Sequence, residues 1–311
     1  MEYRQLGSTD MKVSILSYGA SPLGSVFREI DEEQGIKTVH TAIDLGINFI
    51  DVSPFYGLTK AETVLGKALK GVHRSQYFLA TKVGRYGHEM KDFDFSKARV
   101  TASVDESLAR LGVETVDIIQ CHDIEFGNVT RVIEETLPAL RAIVKAGKAR
   151  YIGVTGLPLK VFKQVLGATR VDAILSYCRY SLNDSGLEAL LPMLETKRVG
   201  IINASPLSMG LLSDRGPASW HPAPAEIRET CAKAAAFCKS RGVDIASLAV
   251  QYAVGNKRIA TTLVGTASVE NITKNVQWAA EPYDPSLLAE VRKILAPIHN
   301  KTWPSGRPEN N

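Results

Sequence analysis

Eight short apolar runs recur along the chain, VSILSYG, INFID, YFLATK, VDIIQCH, ARYIGVT, AILSYC, GIINAS and TTLVG, and each is followed by a stretch of helical periodicity. A hairpin turning at Gly7 to Asp10 precedes the first run. In the segment 31–46, Ile36, Val39 and Ile43 fall on one helix face, with His40 beside them. In 96–112, Val100, Val104, Leu108 and Leu111 follow the i, i+4, i+8, i+11 pattern and Gly112 supplies a stop. Strand then helix, eight times, requires a parallel sheet with right-handed crossovers, and strands apolar almost throughout suit a sheet covered on its outer face. Closing that sheet gives a (β/α)8 TIM barrel with an N-terminal β-hairpin. The alternative is an open doubly wound sheet, but no GxGxxG turn follows the first strand to support its dinucleotide-binding version.

The rhythm breaks between GIINAS and TTLVG, where a Gly/Pro/Ser-rich stretch, Ser205 to Pro224, precedes a helical pattern over about Ala225 to Arg241. An insertion of that length is expected to be a functional loop. An extra C-terminal helix, Asp284 to Ile298, follows the eighth unit, and the breaker-rich WPSGRPENN at the end predicts a mobile tail or a loop laid over the body. The whole span, 1–311, reads as one barrel domain.

Composition narrows the possible partners. The formal charge of +4 is modest and the basic residues are scattered, which argues against a nucleic-acid surface. Four cysteines, Cys121, Cys178, Cys231 and Cys238, form no CxxC pair and no zinc spacing, so reduced thiols and no metal are expected. No signal peptide and no uncharged apolar run of about 18 residues is visible, so a soluble cytoplasmic protein without a membrane partner is expected, as a monomer.

In a barrel the C-terminal strand ends share one face, and active sites are built there. Those ends carry Asp51 after INFI, Lys82 after FLAT and His122 after DIIQC, with Tyr56 in the loop after Asp51. Each has an ordinary reading taken singly: a helix cap, a rim lysine, a structural histidine, an amphipathic rim aromatic. Together they make a proton relay. A tyrosine with a pKa near 10 trades protons poorly at neutral pH; a neighbouring ammonium favours its phenolate, and a carboxylate paired with that ammonium keeps the lysine charged. His122 adds a donor for a carbonyl or hydroxyl oxygen.

With GINFIDVSPFYG, KAETVLGKALKG, YFLATKVG, VTASVDESLARLGVETVDIIQCHD, KARYIGVTG and NASPLSMGLL in this order, the chain resembles the aldo-keto reductase family over essentially its whole length. The resemblance implies that Asp51, Tyr56, Lys82 and His122 are the catalytic tetrad, with Tyr56 the general acid/base. It implies oxidation of an aldose at C1, L-galactose to its lactone on the way to ascorbate foremost, with a nicotinamide cofactor. Cofactor contacts are implied at Gly19, Ala20 and Ser21, at Thr155 and Tyr177, at Ser205, Pro206, Leu207, Gly210 and Leu211, and at Gly265, Thr266, Ser268, Asn271 and Asn275. Phe55, Tyr86, His122 and Trp303, and Trp220 in the insertion, are candidates to meet the sugar.

Departures from the family pattern are also visible. The family holds the nicotinamide amide with a Ser-Asn pair and a Gln, where this chain has Thr155-Gly156 and Tyr177; Thr155 alone can still hydrogen-bond in kind. Ala204 replaces the tyrosine that stacks on the nicotinamide in the family, and Tyr177 is expected to provide that surface. After the eighth strand, Gly265, Thr266, Ala267 and Asn271 stand where NADP-preferring relatives carry cations, with Glu270 alongside and Lys274 the one nearby base. Burying a phosphate dianion without a fixed cation is costly, so NAD is the expected cofactor. An NADPH-dependent carbonyl reductase and a cofactor-binding regulatory subunit, like the potassium-channel β subunits, remain the alternatives.

Overall fold

In the computed structural model, which describes every residue except Phe27, the hairpin pairs β1 (Tyr3–Gln5) with β2 (Lys12–Ser14). Eight parallel strands follow: β3 (Leu16–Gly19), β4 (Phe49–Asp51), β5 (Phe78–Val83), β6 (Val116–Cys121), β7 (Ala149–Gly156), β8 (Ala173–Tyr177), β9 (Gly200–Ala204) and β10 (Thr261–Val264). They pair in chain order, and β10 closes the ring against β3, which removes the open-sheet alternative. One apolar run is divided. In VSILSYG, Val13 and Ser14 end the hairpin and the barrel strand begins at Leu16. The Ser14 N–H donates to the Asn48 side chain at 2.7 Å, and that bond turns the chain from one sheet into the other.

The hairpin closes the N-terminal end of the barrel. Leu6, Met11 and Val13 are fully buried and pack with Phe49, Ala80, Ile118, Leu175, Ile202 and Leu263 from inside the ring. Each such side chain removed from water contributes about 1.5–3 kcal/mol. Gly7 allows the approach: its φ is +56°, and a Cβ there would stand 2.3 Å from the Gly200 nitrogen at the start of β9.

Helices cover the outside. In the helix Glu32–Asp44 the buried face is Gly35, Thr38, Val39 and Ala42; Ile36 and Ile43 flank it half-buried. His40 lies outside that face, exposed, with Nε2 2.7 Å from the Ala68 carbonyl. In the helix Lys97–Leu111, Val100, Val104 and Leu111 are buried, Leu108 is half-buried, Ser96 caps the start and Gly112 ends it at φ 67°. The insertion carries a single 3-10 turn, Ser208–Gly210, before the helix Ala225–Ser240. The extra helix runs Pro285–Leu295, capped by Asp284 and followed by a 3-10 turn, Ala296–Ile298.

The last residues are laid over the body. Trp303 and Asn310 are buried; Asn310 Nδ2 donates to the carbonyls of Glu125 (2.7 Å) and Gly127 (3.1 Å), and Arg307 N donates to that of Glu125 (2.9 Å). All four cysteines are free thiols and buried; Cys121, beside His122, is fully shielded and burial pushes its thiol well up, so it is unreactive. Among the described residues no helix is long and apolar enough to cross a membrane.

Candidate active site

Side chains alternate across a strand, so the residue two positions beyond an inward-facing one points inward again, one layer nearer the mouth. Phe49, Ala80 and Ile118 line the interior at the hairpin end. Two residues on, Asp51, Lys82 and Gln120 meet each other. Lys82 Nζ donates to Asp51 Oδ1 and, at 2.9 Å, to the Val52 carbonyl; Gln120 Nε2 donates to Asp51 Oδ2 at 2.7 Å. Both oxygens of the acid are thereby held, in a pair whose side chains are 1% and 3% exposed.

Tyr56 comes in from the tight loop after β4, whose Tyr56 N–H donates to the Ser53 carbonyl at 3.1 Å. Gly57 lets this loop close: its φ is +62°, and a Cβ there would lie 2.1 Å from the Gly24 carbonyl oxygen. Lys82 Nζ stands 5.1 Å from the Tyr56 ring centroid, and the His122 ring meets that of Tyr56 edge-on at 5.6 Å. Asp51, Lys82 and His122 from the strand ends and Tyr56 from the loop are therefore brought together.

Burial dominates the electrostatics of this group. It pushes the Tyr56 phenol above its ordinary value even though the Lys82 ammonium pulls the other way, so the expected net lowering by lysine is outweighed in this dry setting. Burial also works against a charged Lys82, but the Asp51 carboxylate and Tyr56 more than offset it, and the ammonium persists. His122 is driven to about 3 by burial, against the pull of Asp123, and is neutral at physiological pH.

Around the tetrad the structure adds residues that the strand-end reading missed. Arg85 pairs with Asp123, stacks on Phe55 with its guanidinium 3.6 Å from the ring centroid, and so links the C-terminal ends of β4, β5, β6 and β7, since Asp123 also accepts from Thr155 Oγ1 at 3.1 Å. Phe55 is buried, with His88 edge-on at 5.0 Å. Gln120 was findable, because it stands at the two-residue period between Ile118 and His122. Glu125 was not: it is a buried acid in an apolar turn whose partners come from afar. Its Oε1 accepts from Leu157 N (3.1 Å), Tyr177 Oη (3.2 Å) and Ser305 Oγ (3.0 Å), its Oε2 has no partner among the described residues, and burial raises it to about 8.

Other candidate residues are placed as follows. Tyr86 is turned into packing: Arg99 lies over its ring at 4.0 Å and its hydroxyl accepts from Gly84 N at 3.0 Å. Trp303 meets His221 edge-on at 4.9 Å, and His221 in turn lies beside Trp220 and contacts the Ser208 carbonyl at 3.1 Å, so tail and insertion are joined. Tyr177, half-buried at the end of β8, is the register partner of Ala204 on β9. Next comes a strained turn: Ser205, Ser208 and Met209 have φ of 56°, 47° and 52° and Gly210 of 100°, while Pro206 and Leu211 are buried and Leu207 half-buried. Such strain persists where neighbours over-determine it, as Asn183 and Ser181 do through Ser208 Oγ (2.7 and 3.1 Å).

At the end of β10, Gly265 is exposed and a Cβ on it would come within 3.2 Å of the Gly19 carbonyl and Pro22. Gly19 and Ser21 are half-buried here, and Ala20 is buried. Thr266 Oγ1 accepts from Ser268 N (3.1 Å), and Ser268 caps the helix Val269–Ala279 through Asn271 N (3.3 Å), leaving the Asn271 side chain exposed and Asn275 one turn further on. Lys274 is tied to Glu270 at 2.6 Å.

The chain is 50% identical to L-galactose dehydrogenase of Arabidopsis thaliana, over 100% of this chain and 99% of that protein. It is 31% identical to D-arabinose 1-dehydrogenase of Saccharomyces cerevisiae, over 95% of each. Among solved structures, the holo form of an aldo-keto reductase from Bacillus halodurans superposes with a TM-score of 0.79 at 28% identity, covering 98% of each chain. The model of the Aldo/keto reductase family matches residues 15–296, and with a closed barrel that gathers an acid, a lysine, a tyrosine and a histidine at its mouth, this chain belongs to that family.

Proposed function

We propose that the protein is an NAD-dependent aldose dehydrogenase that oxidises the anomeric carbon of L-galactose to the 1,4-lactone, a step toward ascorbate, and works as a cytoplasmic monomer. One observation carries the chemistry: Lys82 is held between Asp51 and Tyr56 in a site with almost no exposure. The sugar is argued from the 50% identical relative named for that substrate.

The residues at the mouth fit a dinucleotide. The half-buried Tyr177 beside the small Ala204 suits a nicotinamide ring, the exposed Gly265 admits close backbone approach, and the strained Ser205–Gly210 turn suits anionic groups. When bound, oxidised nicotinamide would supply the hydride acceptor. This chain's residues do the rest. Asp51 holds Lys82 charged, Lys82 favours the Tyr56 phenolate, Tyr56 takes the proton of the C1 hydroxyl, and His122 orients the oxygen that loses it. Phe55, braced by Arg85, offers an apolar face to the sugar ring and excludes water.

Preference for NAD rests on charge. Lys274, on the helix after β10, is neutralised by Glu270 one turn away and so is not a free cation for a 2′-phosphate. A spectrophotometric screen of D- and L-aldoses with NAD and with NADP tests the reading, with Tyr56→Phe as control. L-Galactose with NAD is expected to give the highest kcat/KM, and loss of the tyrosine to lower it about 10²- to 10⁴-fold. Faster turnover with NADP at equal concentration overturns the cofactor assignment, and no tetrad-dependent oxidation of any aldose leaves the regulatory-subunit reading. Light scattering of the purified protein at working concentration checks the monomer.

A further inference from the structure

His122 can serve as a donor to the reacting oxygen only if its proton is on the nitrogen that faces the mouth, and an imidazole that is neutral at working pH has two tautomers to choose from. The choice is made on the other side of the ring. His122 Nδ1 lies 2.9 Å from Ser53 Oγ, and Ser53 is fully buried. The same Oγ accepts the Phe55 N–H at 3.1 Å, closing a turn over Ser53-Pro54-Phe55. A hydroxyl has one proton to give, and among the described residues the only other polar group in reach of Ser53 Oγ is the imidazole nitrogen. We infer that Ser53 is a positioning residue that donates to His122 Nδ1 and so fixes the Nε2–H tautomer, making the histidine a hydrogen-bond donor toward substrate.

The opposite face of the ring favours the same arrangement. His122 Nε2 is 3.6 Å from Asp123 Oδ2, too far for a direct hydrogen bond but close enough that a lone pair there would face a carboxylate, whereas an N–H would not be repelled. Asp123 is itself engaged by Arg85 and Thr155, so it orients the field without taking up the His122 proton's donor capacity. In the alternative tautomer, Nδ1–H would donate to Ser53 Oγ, the serine proton would lack an acceptor, and Nε2 could only accept. A histidine in that state would repel a sugar oxygen that is becoming negative. The device lies in the motif itself, since Ser53 stands between Asp51 and Tyr56 and carries the hydroxyl on the turn that also delivers the tyrosine.

The inference rests on His122 facing the reacting oxygen, but the tautomer is measurable without any reaction. The full-length protein labelled with ¹⁵N at histidine, without cofactor, is observed through two-bond ¹H–¹⁵N couplings, and His122 is assigned by loss of its signals in His122→Asn. The expected spectrum has Nδ1 in the unprotonated range and Nε2 in the protonated range at pH 7. In Ser53→Ala the two nitrogens are expected to move toward averaged values, and kcat/KM for the aldose to fall about 10- to 100-fold through kcat, with the Kd for NAD by fluorescence titration unchanged. A wild-type His122 protonated at Nδ1 overturns the assignment whether or not the protein folds after substitution. So does a folded Ser53→Ala variant with unaltered His122 signals and unaltered kcat. If the screen finds no aldose oxidation while the wild-type tautomer is as stated, the dehydrogenase reading fails and the Ser53 assignment stands.

Discussion

The two ends of the barrel are built by the same strands and do opposite things. At the hairpin end, Phe49, Ala80 and Ile118 meet Leu6, Met11 and Val13 in a core without charge. Two residues further along the same strands, Asp51, Lys82 and Gln120 form a buried polar cluster. One end supplies cohesion and the other holds an ion pair out of water at a cost that burial elsewhere must offset. A displacement of about 7 Å along a strand, two residues of rise, separates the apolar core from the buried ion pair.

The comparison can be broken most severely at the ion pair. Lys82→Met is expected to abolish tetrad-dependent oxidation and, by leaving Asp51 buried and unpaired, to cost about 3–5 kcal/mol of stability. Adding Asp51→Asn should recover most of the stability and none of the activity, as read by urea denaturation beside the aldose assay. The opposite end should give the mirror result. Met11→Ala is expected to lose about 2–5 kcal/mol while kcat per folded molecule stays unchanged, and a parallel fall in kcat would mean that the plug also shapes the mouth.

Proton linkage distinguishes the two ends further. Burial raises Tyr56, so the fraction of phenolate grows with pH throughout the range up to its ordinary value of about 10, and kcat/KM for oxidation should climb over that range and flatten in Tyr56→Phe. Glu125 acts on stability instead. Its folded pKa of about 8 lies above the unfolded carboxyl value, so the native state binds the extra proton; this contribution is whole in acid, weakens as pH rises past the unfolded value, and is gone above about 8. Glu125→Gln keeps the neutral shape and the contacts to Ser305, Leu157 and Tyr177, and should raise Tm at pH 9 relative to wild type with little change at pH 5. A variant that loses Tm equally at both values would show that the proton is not what holds the tail.

The sequence displayed the repeating architecture because each strand is an apolar run with a period of its own, and the nearness of Asp51, Lys82 and His122 because strand ends are known once strands are. What stayed hidden depends on which side chains meet across the ring. Arg85 reaches Asp123 and Phe55 from a neighbouring strand end. Glu125 gathers Leu157, Tyr177 and Ser305, the last 180 residues away, which no local pattern could reveal. Tyr86 reads as a candidate to meet the sugar, but Arg99 from the following helix covers its ring. The division of VSILSYG was hidden for a different reason: two sheets that both need apolar residues at that point leave no break in hydropathy, and the Asn48 contact that parts them lies 34 residues away.

The hairpin plug also has a kinetic meaning. Its apolar residues lie within the first 13 positions, yet the surfaces they seal include Leu175, Ile202 and Leu263. Contacts so distant along the chain form late, because the ring they belong to closes only when β10 reaches β3. Until the ring closes, Leu6, Met11 and Val13 lack part of the apolar surface they seal. Folding yield, more than final stability, should be the quantity most sensitive to what is attached in front of them.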